Sequence, residues 1–249
     1  MPIMELEDVK IHYDEAGSGP LAFVFCHGMF GGGSSFVEEF DFWKQHFGRV
    51  VSWDVRGMGE SSQAAKYSLP LYASDLARLL DGLKVRKAVV LGFSWGATVA
   101  QGFALDYLDK CAAVILESGT SEVNLAASEY WYQSGEAARR GDPRATAEGA
   151  KIEPQHVESV VAASRLIAGL REHPLTPRLK QITCPVLVVA GAKDEMNRGA
   201  GPSVIMSRNL PNCKLHIFQD GGHTLHVEKR EEFRALVVDF CREHKVIKG

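Results

Sequence analysis

The order of apolar runs and amphipathic stretches predicts an α/β chain: a mostly parallel central sheet with helices on both faces and a small helical cap. Three observations carry this expectation. Short continuous apolar runs, such as Leu21-Ala22-Phe23-Val24-Phe25-Cys26, have the length and character of strands buried on both faces. Segments with a helical apolar period separate them, and strands alternating with helices build parallel sheets. The alternation is interrupted once, over residues 120–183, by a polar, helix-prone region poor in strand signals. It then resumes, so the expected core is residues 1–119 and 184–249, with residues 120–183 as the cap.

The elements follow in order. The opening stretch alternates and ends in Gly17-Ser18-Gly19-Pro20, a turn signal, and reads as a hairpin. The first buried run, 21–26, is followed by a glycine-rich loop at 28–35 and a helix over 36–47. Val50-Val51-Ser52-Trp53 is a strand. Residues 71–83 are an amphipathic helix with Leu76, Leu79, Leu80 and Leu83 on one stripe. Ala88-Val89-Val90-Leu91 is a strand, 95–107 a helix and 112–116 a strand. After the insert, Pro185-Val186-Leu187-Val188-Val189-Ala190 restores the buried-strand pattern. A helix at 203–210, a strand at 214–218 and a last helix at 228–244 complete the chain.

Composition narrows the function. At 249 residues the chain is long enough for one domain with a large core and short for two. With 45% apolar and 24% charged residues it has an ordinary globular balance. A net charge of −3 offers no electrostatic attraction to nucleic acid or anionic membranes, so neither is an expected partner. No apolar stretch approaches the length that spans a bilayer, and charges recur through the first residues where a signal peptide would be apolar. The expected location is the cytoplasm, and the expected partner is a small-molecule substrate; the sequence leaves the oligomeric state open. Five cysteines, Cys26, Cys111, Cys184, Cys213 and Cys241, stand singly without metal-like spacing. They are expected as buried reduced thiols, with no metal and no cofactor; Cys26 alone stands beside an expected active-site loop.

Chemistry concentrates at Gly92-Phe93-Ser94-Trp95-Gly96, a G-x-S-x-G that follows a buried strand and opens a helix. A serine at so sharp a turn adopts strained dihedrals, so its neighbours must be small. The turn lifts the hydroxyl above the sheet. It also leaves the Trp95 amide at a helix N-terminus, where it can donate to a developing oxyanion.

With that motif the chain resembles the α/β-hydrolase superfamily over nearly its full length, and around Glu117 to Arg139 and at Leu175-Thr176-Pro177-Arg178-Leu179 it is similar to small serine esterases and enol-lactonases. Four further segments match in order: Cys26-His27-Gly28-Met29-Phe30-Gly31-Gly32, Asp54-Val55-Arg56-Gly57-Met58-Gly59-Glu60-Ser61, Gly191-Ala192-Lys193-Asp194 and Gly221-Gly222-His223. The resemblance implies Ser94 as nucleophile, His223 as base and Asp194 as its orienting acid, in the chain order of this fold. It implies the Met29 amide as a second oxyanion donor beside Trp95. His27, Asp54 and Arg56 match positions that brace loops. Two rivals to the acid stay open: Glu195, adjacent, and Glu117, at the end of the preceding strand. The proline that often follows the family's aspartate is missing here. His226 competes with His223, which follows the glycine pair directly.

The resemblance implies acyl transfer and leaves the substrate open. A serine nucleophile argues against dehalogenases and epoxide hydrolases, and the cap offers less apolar surface than long-chain lipases do. Phe30 and the cap aromatics Tyr130 and Trp131 are candidates for the substrate pocket, although packing of the cap onto the core accounts for the latter pair equally well. A polar run at 134–148 follows them. A small carboxylic ester or lactone is the first expectation. A carbon–carbon bond hydrolase of the meta-cleavage type shares every motif. A slow-hydrolysing small-molecule receptor is the reading from another class.

Overall fold

A computed structural model describes residues 2–142, 145 and 152–248. Eight strands form one sheet: β1 (Ile3–Glu5), β2 (Lys10–Gly17), β3 (Leu21–Cys26), β4 (Arg49–Trp53), β5 (Lys87–Phe93), β6 (Cys111–Glu117), β7 (Val186–Gly191) and β8 (Cys213–Phe218). Their order is β1-β2-β4-β3-β5-β6-β7-β8. The hairpin β1–β2 and the pair β2–β4 are antiparallel, and every other pair is parallel.

Alternation along the strands splits the core in two. Val24, Val51, Val90, Leu116 and Val188 face one side. There they meet α2 (Leu69–Gly82) and α3 (Trp95–Asp106), through Leu76, Leu79, Leu80 and Phe103. Phe23, Phe25, Val89, Leu91 and Leu187 face the other. They pack on α1 (Phe40–Phe47) and the C-terminal α8 (Arg230–Glu243), through Trp43, Phe47, Phe233 and Phe240. Each central strand is therefore apolar throughout because both of its faces are covered.

The strands lie where the apolar runs predict them; two helices differ. The expected helix over 36–47 begins as a 3₁₀ stretch, Gly33–Glu39, and becomes α-helical only at Phe40. A tight start suits Gly33: any side chain there would press on the Trp53 backbone. The expected helix over 228–244 is α8, which starts two residues later, at Arg230; a short helix, α7 (Leu225–Glu228), precedes it and is separated from it at Lys229. Glu228 is drawn back to accept the Gly222 and Thr224 amides, which ends α7. The helix expected at 203–210 is α6 (Gly201–Asn209), with Pro202 in its first turn, where a missing N–H costs nothing.

Between β6 and β7 lie α4 (Leu125–Arg139) and α5 (Val157–Gly169). Asn124 caps α4 by accepting the Ala127 amide. The insert touches the core at Gly57, whose carbonyl accepts from Ser159 Oγ at 2.6 Å and from His156 Nδ1 at 2.9 Å. Of the polar run 134–148, positions 143, 144 and 146–148 lie outside the described residues. Among the described residues no helix is long and apolar enough to cross a membrane.

Candidate active site

The turn after β5 is as tight as its sequence implies. Ser94 has φ 55° and ψ −119°, a left-handed conformation that a non-glycine residue holds only when its surroundings enforce it. Here the Ser94 amide donates to the Glu117 carbonyl at 2.8 Å, and its own carbonyl accepts from Ala97. The flanking glycines are steric requirements. A Cβ on Gly96 would overlap the Cys26 carbonyl, and one on Gly92 would overlap the backbone of Gly96 and Ala97. Trp95 is the first residue of α3, so its amide has no acceptor within the helix.

His223 comes from the loop after β8. Its Nε2 lies 2.9 Å from Ser94 Oγ and its Nδ1 2.9 Å from Asp194 Oδ2. Two features hold that loop. Ser118 Oγ donates to the His223 carbonyl at 2.7 Å. Gly191, lacking a side chain, lets the backbone of Gly221 and Gly222 come down on the end of β7.

Asp194, 2% exposed, stands just beyond β7. Its carboxylate also accepts the Asn197 amide at 3.0 Å and Asn197 Nδ2 at 2.9 Å. Burial pushes this carboxyl up, but the hydrogen bonds from His223 and Asn197 outweigh it and hold the group below the usual aspartate range. Asn197 reaches on to the Ser118 carbonyl at 2.7 Å, tying the acid loop to the end of β6. It occupies the stretch where the resembled family often has a proline. Sequence reasoning passed over both Asn197 and Ser118; the missing proline was a signal for the Asn197 loop, and nothing signalled Ser118.

The rival residues are placed elsewhere. Glu195 is exposed and faces an outer cavity. Glu117 is fully buried, and both its oxygens lie 2.9 Å from Nδ1 of His226, not of His223. The bracing residues are likewise separate from the serine. Asp54 accepts the amides of Gly33 and Glu60 and the His12 ring. Arg56 is bidentate to Asp75. His27 is fully buried; burial depresses its pKa, and its Nε2 accepts the Val55 amide. Cys26 is buried too, and desolvation pushes its thiol up to about 12, which makes it a poor nucleophile.

Ser94 and His223 open into a cavity of about 390 Å³. Met29 and Trp95 line it beside them, as do Phe30, Trp131, Ile167 and Met196. Phe30 is 43% exposed, at the rim. Tyr130, 48% exposed, is not in this lining; it faces the adjoining outer cavity of about 730 Å³, which shares Trp131 and Met196 with the inner one. The Tyr130 and Trp131 rings meet edge to face, so the pair turns only one of its rings toward the serine. A serine hydroxyl on an imidazole, itself held by a buried carboxylate, is the arrangement that nucleophilic acyl transfer requires. Among the described residues no cluster of three potential metal ligands occurs.

Comparison with known proteins bears on this geometry. The model of a family described as "Alpha/beta hydrolase family" matches residues 23–236. The chain is 26% identical to the serine hydrolase BPHL of Homo sapiens, over 94% of this chain and 84% of that protein. It is 26% identical to a 2-hydroxy-6-oxo-6-phenylhexa-2,4-dienoate hydrolase of Comamonas testosteroni, over 96% and 93%. Among solved structures it is similar to the enol-lactonase of Burkholderia xenovorans LB400, with a TM-score of 0.83, 20% identity and coverage of 96% and 99%. That last likeness speaks to the fold.

Proposed function

Because the chain belongs to the alpha/beta hydrolase family, we propose that it is a serine hydrolase that cleaves a small carboxylic ester or lactone through an acyl-enzyme. The observation that carries this reading is the unbroken hydrogen-bonded chain from Ser94 through His223 to Asp194, with the serine facing a largely apolar cavity. Ser94 attacks the substrate carbonyl as His223 Nε2 takes its proton. Asp194 fixes the imidazole tautomer and balances the imidazolium. The amides of Met29 and Trp95 receive the oxyanion; loss of one such donor typically costs about two to three orders of magnitude in turnover. The protonated His223 then gives its proton to the leaving oxygen. Water, deprotonated by the same ring, releases the acid and restores Ser94. No step uses a metal ion or a cofactor.

In this reading residues 120–183 serve as a cap on a core made of 1–119 and 184–249. Trp131 roofs the acyl end, Phe30 stands at the mouth, and Tyr130 belongs to the outer vestibule. A sulfonyl fluoride tests the nucleophile. Intact mass should show one adduct on the wild type and none on Ser94→Ala, which should also lose turnover by several orders of magnitude. Labelling that persists in Ser94→Ala removes the assignment. A panel of p-nitrophenyl esters, lactones and ring-fission diketones then decides the bond: turnover of the diketones alone replaces the ester reading with carbon–carbon cleavage.

A further inference from the structure

The proposed reaction uses one of two acid–histidine pairs that reach the same cavity. The other is Glu117–His226. Glu117 ends β6, fully buried, and is held twice by one residue: Oε1 accepts the His226 amide at 2.9 Å, and both oxygens lie 2.9 Å from Nδ1. The ring is fixed from its sides as well. Phe93 meets it edge to face at 4.9 Å between centroids, Phe36 lies at 5.1 Å and Phe233 at 6.5 Å. With Nδ1 committed to Glu117, only Nε2 is free to meet a ligand. Among the described residues Nε2 has no hydrogen-bond partner, yet it is not among the buried unpaired atoms, and His226 lines the cavity that holds Ser94.

Charge decides what that nitrogen offers. Neither lysine nor arginine is among the residues lining this cavity. A carboxylate sealed in a low dielectric is strongly disfavoured without a cation beside it. Four groups bear on the ring. Burial lowers its pKa and Arg230 of α8 lowers it further; Glu117 and, from the 3₁₀ stretch before α1, Glu39 raise it, and the acids prevail. His223 meets the same Phe93 ring, at 5.2 Å between centroids. With Nδ1 given to Glu117, protonation of the ring turns the free nitrogen into an N–H donor on a positive ring, and the acids extend that form to higher pH than an ordinary histidine keeps it; the donor is set in an apolar wall of Phe36, Phe93 and Val227. Such a donor makes its strongest hydrogen bond to an anionic oxygen.

We propose that the Glu117–His226 pair is a carboxylate-binding subsite of the catalytic cavity, and that the preferred esters or lactones carry a carboxylate on the acyl chain. The subsite rests on the serine-hydrolase reading for where the scissile carbonyl sits, not for its own existence.

Equilibrium binding to Ser94→Ala tests it without turnover. Monomethyl adipate and dimethyl adipate present the same ester to the serine end and differ only in a terminal carboxylate against a neutral ester. At about pH 6 the monoester should bind roughly tenfold more tightly by titration calorimetry. The advantage should fade as pH rises through the elevated pKa of His226. The His226 Cε1 proton resonance should shift as monoester is added, a readout that needs no further variant. In Ser94→Ala/His226→Gln the two ligands should bind alike. Equal affinities in Ser94→Ala, an advantage that survives His226→Gln, an unmoved His226 resonance, or no binding of either ligand each overturns the subsite. Failure of the serine-hydrolase reading shows separately, as an unlabelled Ser94 in the wild type, and leaves the monoester preference in place.

Discussion

Asp194 accepts hydrogen bonds from His223 and twice from Asn197, so it holds both the imidazole and its own loop. Asp194→Asn should cut turnover by about a thousandfold or more, because an amide permits the wrong imidazole tautomer. It should also lower stability by about 1–3 kcal/mol, since an amide nitrogen cannot accept what the second oxygen accepted. Turnover at saturating substrate and a denaturant titration read the two effects apart; full activity in Asp194→Asn moves the acid elsewhere. The stability cost runs through Asn197, whose contacts with Asp194 no motif announces. Ser94, His223 and Asp194 were legible because each follows a strand end within a short glycine-bearing pattern. Ser118 and Asn197 were not, because their partners come from chain segments 105 and 79 residues away. Glu117 was weighed as a rival acid; the structure gives it to the amide and ring of His226, 109 residues away in the chain.

The elements show the same division. Strands were legible because burial on both faces makes them apolar without interruption. Helix starts were less so: the 3₁₀ stretch before α1 and the break at Lys229 depend on tertiary contacts at Gly33 and Glu228. The glycines of the elbow can be tested against a glycine with room. Gly96→Ala drives a methyl into the Cys26 carbonyl at the crossing of α3 and β3, and should destabilise by about 1–3 kcal/mol or more, as overpacking does. It should also displace Ser94, so activity should fall further than the loss of folded protein explains. Gly169→Ala, at the end of α5, meets nothing within 4 Å and should gain up to about 1 kcal/mol from helix propensity and a stiffer unfolded chain. Denaturant midpoints of the two variants should lie on opposite sides of the wild type. Two similar midpoints would mean that the close crossing at Gly96 relaxes at little cost.

At the scale of the whole molecule, the segment after β8 carries both histidines and ties them to the ends of two other strands: Asp194 beyond β7 holds His223, and Glu117 on β6 holds His226. Stability should therefore depend on pH in a way that separates them. The His226 pKa is raised above its unfolded value of about 6.5. Its contribution is fully present below that value and is lost as pH rises through the higher folded pKa. The Asp194 pKa is lowered from about 3.8, so its contribution is present above that value and lost as pH falls through the lower folded pKa. His27 works against a simple plateau. Burial lowers its pKa, so just below about 6.5 the unfolded chain binds the proton more readily than the folded one and acid favours unfolding there. A wild-type curve alone mixes these opposing slopes, and a difference curve does not. Unfolding free energy of the wild type minus that of Glu117→Gln/His226→Gln, in which no buried carboxylate is left unpaired, should be largest at the acid end and shrink toward alkaline pH between about pH 5 and about pH 9. The His27 slope cancels in the subtraction, since His27 and its partners Gly28 and Val55 are untouched. A flat difference would mean that His226 has the same pKa folded and unfolded, and that Glu117 holds the ring by shape and hydrogen bonding without biasing its charge.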